Sequence, residues 1–396
     1  MVEIEFSVMT HGAVDVEAMR LSLARFERQE RIKVHLVPIP WASGRGWMEI
    51  ANMAIHQRGV DVSEIGTTWV GSLAAMNALH PFPPDKVVQV GGPLAYFDVL
   101  WKMGVLIGDE RVWAIPWVSH PLVLYYRGDW IDLAGIDAHS AFCADRFPHT
   151  LETLQRHGVA HPLALAITGM TALHEAAGWV WHAGGDFLSP DGRQVLFNQP
   201  AALDGLLAYF SLRRYLMRPK FGGQPTSADA FIGRNAACAI DGPWLAIAAR
   251  RYPNFFGDDS FPLETVHVPG VAHVGASSLV TWKHTRHPEA AFALIHFLCD
   301  QQNQAEHSLH KQVLPARRSA LEAIVAQEPY YRVFLDTLQT DRSYPVTPLW
   351  GFIEQKLAVA LEEIWEQVLA DPFSNIEECL HRKLDPLACR LNSTLE

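Results

Sequence analysis

At 396 residues the chain is long enough for two or three domains or two large lobes, and its length argues against a single compact core. With 49% hydrophobic and 19% charged residues it can build substantial cores, which excludes wholesale disorder. Lys and Arg number 32 against 43 Asp and Glu, and the resulting net charge of −11 argues against a nucleic-acid partner or adhesion to an anionic membrane.

The opening alternates as a strand over Glu3 to Met9, turns at Thr10-His11-Gly12, and continues into a helix from about Asp15 with Met19, Leu23 and Phe26 on one stripe. This start lacks the basic, apolar and small-residue order of a secretory leader. The protein is therefore read either as cytoplasmic or as extracytoplasmic with its leader removed. Arg31 to Pro38 is a second strand, Trp47 to Gln57 a helix, and Val60 to Ile65 a third strand. Strands separated by helices argue for a mainly parallel α/β sheet, with ligands in the crevice beyond the carboxyl ends of the strands. Those ends carry Thr10 and His11, Trp41, and Thr68 and Trp69.

Arg111 to Arg127, broken by Pro116 and Pro121, reads as a crossing between lobes. Helical periodicity dominates from Thr150 to Leu216, interrupted at Gly184-Gly185-Asp186 and at Ser189-Pro190-Asp191-Gly192. Ala236 to Asp241 is a short strand ending in Gly242-Pro243-Trp244, and extended character returns at Thr265 to Val268 and Ser278 to Trp282. The last long helix is expected to start at Thr347-Pro348, with Ile353, Leu357, Leu361, Ile364 and Val368 as its stripe. The longest uncharged stretches, such as Pro162 to Leu173, fall short of the roughly 20 residues that span a bilayer.

Motifs for chemistry are sparse. There is no Walker A sequence, no GxSxG elbow, and Gly44-Arg45-Gly46 lacks the third glycine of a dinucleotide fingerprint. His174-Glu175 lacks the second histidine of a zinc-binding HExxH, and the five cysteines form no CxxC. Cys143, Cys238, Cys299, Cys379 and Cys389 are read as buried free thiols, and no metal, cofactor or catalytic residue is expected. Asp186 and Asp241 are the acids nearest the expected cleft, but they fall in separate turns.

Tryptophan is unusual, with 13 residues. Trp41, Trp69, Trp117, Trp181, Trp244 and Trp350 lie in or beside expected loops, next to Gly, Pro, Thr or Ser. An indole offers a rigid apolar face with one polar N–H, suited to the C–H face of a sugar whose hydroxyls bond neighbouring Asp, His and Thr. Thr10, His11, Thr68, Asp241 and Ser277 complete the candidate ligand-binding set.

Several segments in order resemble a family. Ile65-Gly66-Thr67-Thr68-Trp69-Val70, Val112-Trp113-Ala114-Ile115-Pro116-Trp117, Leu124-Tyr125-Tyr126-Arg127, Ala183-Gly184-Gly185-Asp186, Asp241-Gly242-Pro243-Trp244, and Leu314-Pro315-Ala316-Arg317-Arg318-Ser319 are similar to stretches of maltose-binding-protein-like extracellular solute-binding proteins of ABC importers. The resemblance implies a two-lobed α/β clamp of the periplasmic-binding-protein type, closing on a ligand between lobes joined by several crossings. It places residues 1–112 and 272–313 in the first lobe and 113–271 and 314–396 in the second. It further implies a monomeric, non-enzymatic receptor that delivers a carbohydrate, an oligosaccharide or glycoside, to membrane permease subunits from the periplasmic or extracytoplasmic side. A ligand-sensing module uncoupled from transport and an enzyme acting on sugars in the cleft are the alternatives.

Overall fold

The computed structural model describes residues 2–10, 13–40, 46–217, 227–251, 263–311 and 313–395. His11 and Trp41 lie outside these residues. The strands in chain order are β1 (Val2–Thr10), β2 (Ile32–Pro40), β3 (Val62–Gly66), β4 (Leu79–His80), β5 (Ile115–Pro121), β6 (Val123–Arg127), β7 (Leu163–Ala164), β8 (Cys238–Asp241), β9 (Leu263–Val266), β10 (Val274–Trp282) and β11 (Leu314–Pro315). The chain divides into two compact α/β units. The first comprises Met1–His120, Val274–Gln339 and Ser343–Gly351; the second comprises Pro121–His273, Thr340–Arg342 and Phe352–Glu396.

The first unit is built on a sheet of order β11-β5-β10-β3-β1-β2, with β4 paired to β10. The alternating text of the first 66 residues yields β1, β2 and β3, which run parallel. Helix Ala13–Glu30 crosses from β1 to β2 and buries Met19, Leu23 and Phe26, spaced to return to one face. The sheet departs from the parallel expectation at β10, which returns from the second unit and pairs antiparallel with β3, Ser277 opposite Gly66. The second unit has a smaller sheet of order β7-β8-β6-β9, in which β6 pairs antiparallel with both β8 and β9. Its helices include Gly169–His182, Pro200–Ser211 and Ile376–Leu395.

The division differs from the expected boundaries. The text after residue 112 was expected beyond the first lobe, but Ile115–Pro121 forms β5 of the first sheet. Residues 314–339 also join the first unit: Leu314 and Pro315 pair with Ser119 and Val118, and helix Arg318–Gln327 buries Leu321, Ile324 and Val325. The segment 343–351 follows them, held by Ile107 N–H donating to the Val346 carbonyl (3.1 Å) and Ser72 Oγ donating to that of Pro348 (2.8 Å). The long helix expected at Pro348 starts at Trp350, two residues later, and it is not the last: helix Ile376–Leu395 follows it. Thr347 and Pro348 instead lie against helix Val70–Ala75, where a Cβ on Gly71 would stand 2.1 Å from the Thr347 carbonyl oxygen. Only glycine admits that approach. The stripe Ile353, Leu357, Leu361, Ile364 and Val368 is buried as its spacing requires.

Candidate functional site

In the first unit, β1 and β3 end on the same edge of the sheet because they run parallel. Thr10 closes β1 and is 7% exposed. After β3 the chain turns through Thr67–Trp69 into helix Val70–Ala75, leaving Thr68 and Trp69 half-buried. A second indole meets Trp69 there. Trp47, in the first turn of helix Gly46–His56, lies 5.5 Å from it between ring centroids with planes inclined by 53°, and is also half-buried. Beside them, the Trp69 ring and the Met9 side chain lie against Gly46, where an added Cβ would make ordinary van der Waals contact with both at 3.5–3.6 Å. Trp47 was missed in the sequence because it sits in a helical pattern.

Below this face lies a buried carboxylate. Glu64 of β3 accepts from Met9 N–H (2.9 Å) and Ser277 Oγ (2.6 Å) and forms an ion pair with Lys311. Ser277, expected to meet a ligand, is 1% exposed and spends its hydroxyl on this carboxylate, which removes it from the exposed set.

The second unit presents its own turn at the end of β8. Asp241 is 3% exposed; its Oδ1 accepts from Gly242 N–H (2.8 Å) and its Oδ2 from Ser227 Oγ (3.2 Å). Burial pushes its pKa up to about 6, against hydrogen bonds from Gly242, Ser227 and Trp244 that lower it. The expectation of a carboxylate offered to ligand hydroxyls is corrected: Asp241 points inward and holds the turn. Trp244 is 37% exposed, with its ring lying back over Gly242, where a Cβ would stand 2.0 Å from the indole. The glycine of the Gly242-Pro243-Trp244 sequence is thus what lets the indole lie there. Tyr125 Oη braces the same turn by donating to the Gly242 carbonyl (2.6 Å). Glu175, fully enclosed nearby, accepts from Ala166 N–H with both oxygens (3.1 Å each), and burial raises its pKa well above the carboxylate range.

The remaining tryptophans are packed within their units. Trp117 is enclosed in the first unit, stacked on His307 at 4.3 Å and edge-on to Phe6. Trp350 packs on Tyr344 at 4.3 Å. Trp181 joins a column in the second unit: His174 stacks on His273 (4.2 Å), His273 on Trp181 (6.2 Å), and the Arg342 guanidinium caps the Trp181 ring at 4.9 Å. Asp186 ties the column by accepting from Trp181 Nε1 (3.2 Å) and from Arg342 (2.7 Å). These three indoles were expected on loops open to a ligand; their proximity to Gly, Pro and Ser marks tight packing instead. Asp186, bonded in this way, and Asp241 are structural acids rather than a facing pair.

Among the described residues no group of three or more His, Cys, Asp or Glu is placed to hold a metal ion, and no helix is long and apolar enough to cross a membrane. Comparison with known families matches residues 22–331 to the model of the bacterial extracellular solute-binding proteins. The chain belongs to that family. Its fold is that of sugar-binding proteins already solved. The sugar-binding protein MalE from Xanthomonas citri superposes with a TM-score of 0.83 at 20% identity, over 100% of this chain and 97% of the other. MalE3 of T. maritima, solved with maltose, gives 0.80 at 17% identity over 100% of both chains. The GacH receptor of Streptomyces glaucescens, solved without ligand and with acarbose, gives 0.80 at 15% over 100% of this chain and 98% of the other. At such identities the fold is shared. All five cysteines are free thiols; Cys238, Cys299 and Cys379 are buried as expected, whereas Cys143 and Cys389 are exposed.

Proposed function

We infer that this solute-binding protein is a carbohydrate receptor, and that Trp47, Trp69 and Thr68 of the first unit and Trp244 of the second contact the sugar. The observation that carries the reading is the inclined pair of half-buried indoles, Trp47 and Trp69, at the carboxyl ends of β1 and β3. An indole face takes the C–H face of a pyranose, and a hydroxyl such as that of Thr68 beside it bonds the sugar's own hydroxyls. The X. citri, T. maritima and S. glaucescens proteins, named for a sugar or solved with maltose or acarbose, support the ligand class. His11 and Trp41 stay in the proposal on sequence alone, and Thr10 as a backbone and hydroxyl contact at the end of β1.

The reading includes closure of the two units on the ligand, delivery to an ABC permease, an extracytoplasmic location in keeping with the extracellular family, and a monomeric state without turnover. A thermal-shift and calorimetric screen over maltose, maltotriose, trehalose and larger saccharides tests it. A ligand at 100 times its dissociation constant adds about 2.7 kcal/mol to stability, a readily visible shift. The expected result is a raised melting temperature with at least one saccharide, a smaller scattering radius on saturation, and a sugar recovered intact after prolonged incubation. A shift with polyamines or glycerol phosphodiesters and none with any saccharide would sink the carbohydrate reading; product that accumulates in proportion to protein would sink the receptor reading.

A further inference from the structure

Glu64 and Lys311 are separated by 247 residues and meet inside the first unit, their side chains 2% and 3% exposed. The Lys311 ammonium reaches both carboxylate oxygens, at 2.5 and 2.6 Å. Burying two charges is costly, and an apolar pair of similar volume commonly gives equal or greater stability. An apolar residue at position 64, however, accepts no hydrogen bonds. Glu64 accepts from Met9 N–H at 2.9 Å and from Ser277 Oγ at 2.6 Å as well as from Lys311, so one side chain on β3 fastens β1, β10 and helix Gln301–Lys311.

The elements so fastened carry the strand-end face. Met9 immediately precedes Thr10, and its side chain reaches the same Gly46 position as the Trp69 ring. Ser277 pairs with Gly66 at the end of β3, and the next residue, Thr67, donates its hydroxyl to the Ala276 carbonyl (3.3 Å). On the other side the lysine is itself held in place. Its ammonium lies 5.4 Å from the Trp117 ring centroid, and His307, one helical turn earlier, stacks on the same indole with planes 6° apart. Burial and the lysine charge push the His307 pKa well below its ordinary value, so the imidazole is neutral and adds no competing cation.

We propose that Glu64 and Lys311 are a positioning pair, holding the strand-end face of the first unit, and with it the Trp47 and Trp69 platform, in its ligand-binding geometry. The importance of this geometry for sugar rests on the carbohydrate reading above; the positioning itself does not. Residue-resolved amide hydrogen exchange on the full chain tests the second, and titration with maltose as probe tests the first.

Lys311→Met leaves the carboxylate buried without its cation. Exchange at Met9, Thr10 and residues 66–69 is expected to rise about 10-fold or more, while helix Pro200–Ser211 of the second unit keeps its rate. Maltose affinity is expected to fall by a similar factor. Glu64→Gln combined with Lys311→Met should restore most of both, because the amide oxygen in the place of Oε2 still accepts from Met9 N–H, and the amide NH2 in the place of Oε1 donates to Ser277 Oγ. Acceleration spread evenly over the first unit, or none at the strand ends, overturns the proposal. Should Lys311→Met fail to fold, Ser277→Ala carries the test: it removes one donor only, and unchanged exchange at Met9 and Thr10 overturns the pair's role. If the wild-type protein takes up no maltose, the exchange measurements still decide the positioning role, and the choice of sugar alone is at fault.

Discussion

The strand-end face of the first unit and the stacked column of the second contain the same kinds of residue, in opposite states. At the face, Trp47 and Trp69 lean on each other at 5.5 Å and stay half-buried. In the column, the Trp181 ring lies between His273 and the Arg342 guanidinium, and its N–H donates to Asp186. Trp69 follows β3 beside Gly66, and Trp181 lies in the last turn of helix Gly169–His182 between Gly178 and Gly184, so nearby glycines do not separate them. The difference lies in partners from elsewhere in the chain: Arg342 is 161 positions from Trp181 in the sequence, and its guanidinium lies over the ring. An aromatic residue in a loop becomes a platform only when no distant side chain covers it.

Truncation at the column should therefore cost stability and truncation at the face should cost binding. Trp181→Ala is expected to lower unfolding free energy by about 3–5 kcal/mol in chemical denaturation, the range for buried aromatic residues, with saccharide affinity retained in the molecules that remain folded. A stable Trp181→Ala protein that has lost its ligand would reverse the assignment of the two regions.

Asp241 offers the next largest effect, because it too is turned inward. Its folded-state pKa of about 6 exceeds the ordinary 3.8, so the folded protein holds this proton more tightly than the unfolded chain does. The contribution is fully present below pH 3.8, is lost as pH rises through about 6, and corresponds to about 3 kcal/mol across that interval. Asp241→Asn should flatten that part of the stability profile and raise the melting temperature at pH 7, since a buried charge is removed. Denaturation curves of both proteins between pH 4 and 8 check this; parallel profiles would mean the carboxylate is solvated.

At the face, Trp69→Ala and Trp47→Ala should each weaken saccharide binding by about 1–3 kcal/mol with a nearly unchanged melting temperature, as measured by calorimetry. Loss in Trp69→Ala alone would narrow the platform to one ring. The smallest effect is expected for Arg342→Lys, which keeps the charge but loses the flat guanidinium over Trp181. Here a cost of about 0.5–1 kcal/mol in stability, and none in affinity, would sharpen the division between regions.

The architecture was legible where a pattern is local. Alternation located β1, β2 and β3 to within two residues at most ends, and the spacing of Met19, Leu23 and Phe26 and of Ile353 through Val368 identified faces that are buried. Residues 314–339 were misplaced because β11 is two residues long and its partner, β5, lies nearly 200 positions earlier. The ordered resemblance gave the family, which a family model then matched across most of the chain. Individual site residues were far less legible. Trp117, Trp181 and Trp350 share their neighbours' glycines and prolines with Trp69; His307 and Arg342, which cover the first two rings, are 190 and 161 positions away, and only Tyr344, which packs on Trp350, is a near neighbour in the sequence. Glu64 was overlooked for the same reason, since the cation that makes its burial tolerable is contributed by a helix near residue 311.

The way the first unit is assembled bears on its synthesis. Its strand β10 lies between β3 and β5 in the sheet, yet it emerges from the ribosome only after the whole stretch from Pro121 to His273 has been made. Until then β3 and β5 have no strand to join them, and Gly71 has nothing to receive until Thr347 arrives. At roughly 5–20 residues per second, the first 120 residues wait about 8 to 30 seconds with a gap in the middle of their sheet. Nascent chains stalled near residue 270 should therefore expose unpaired strand edges and recruit chaperones, whereas release of the last hundred residues allows the first unit to close.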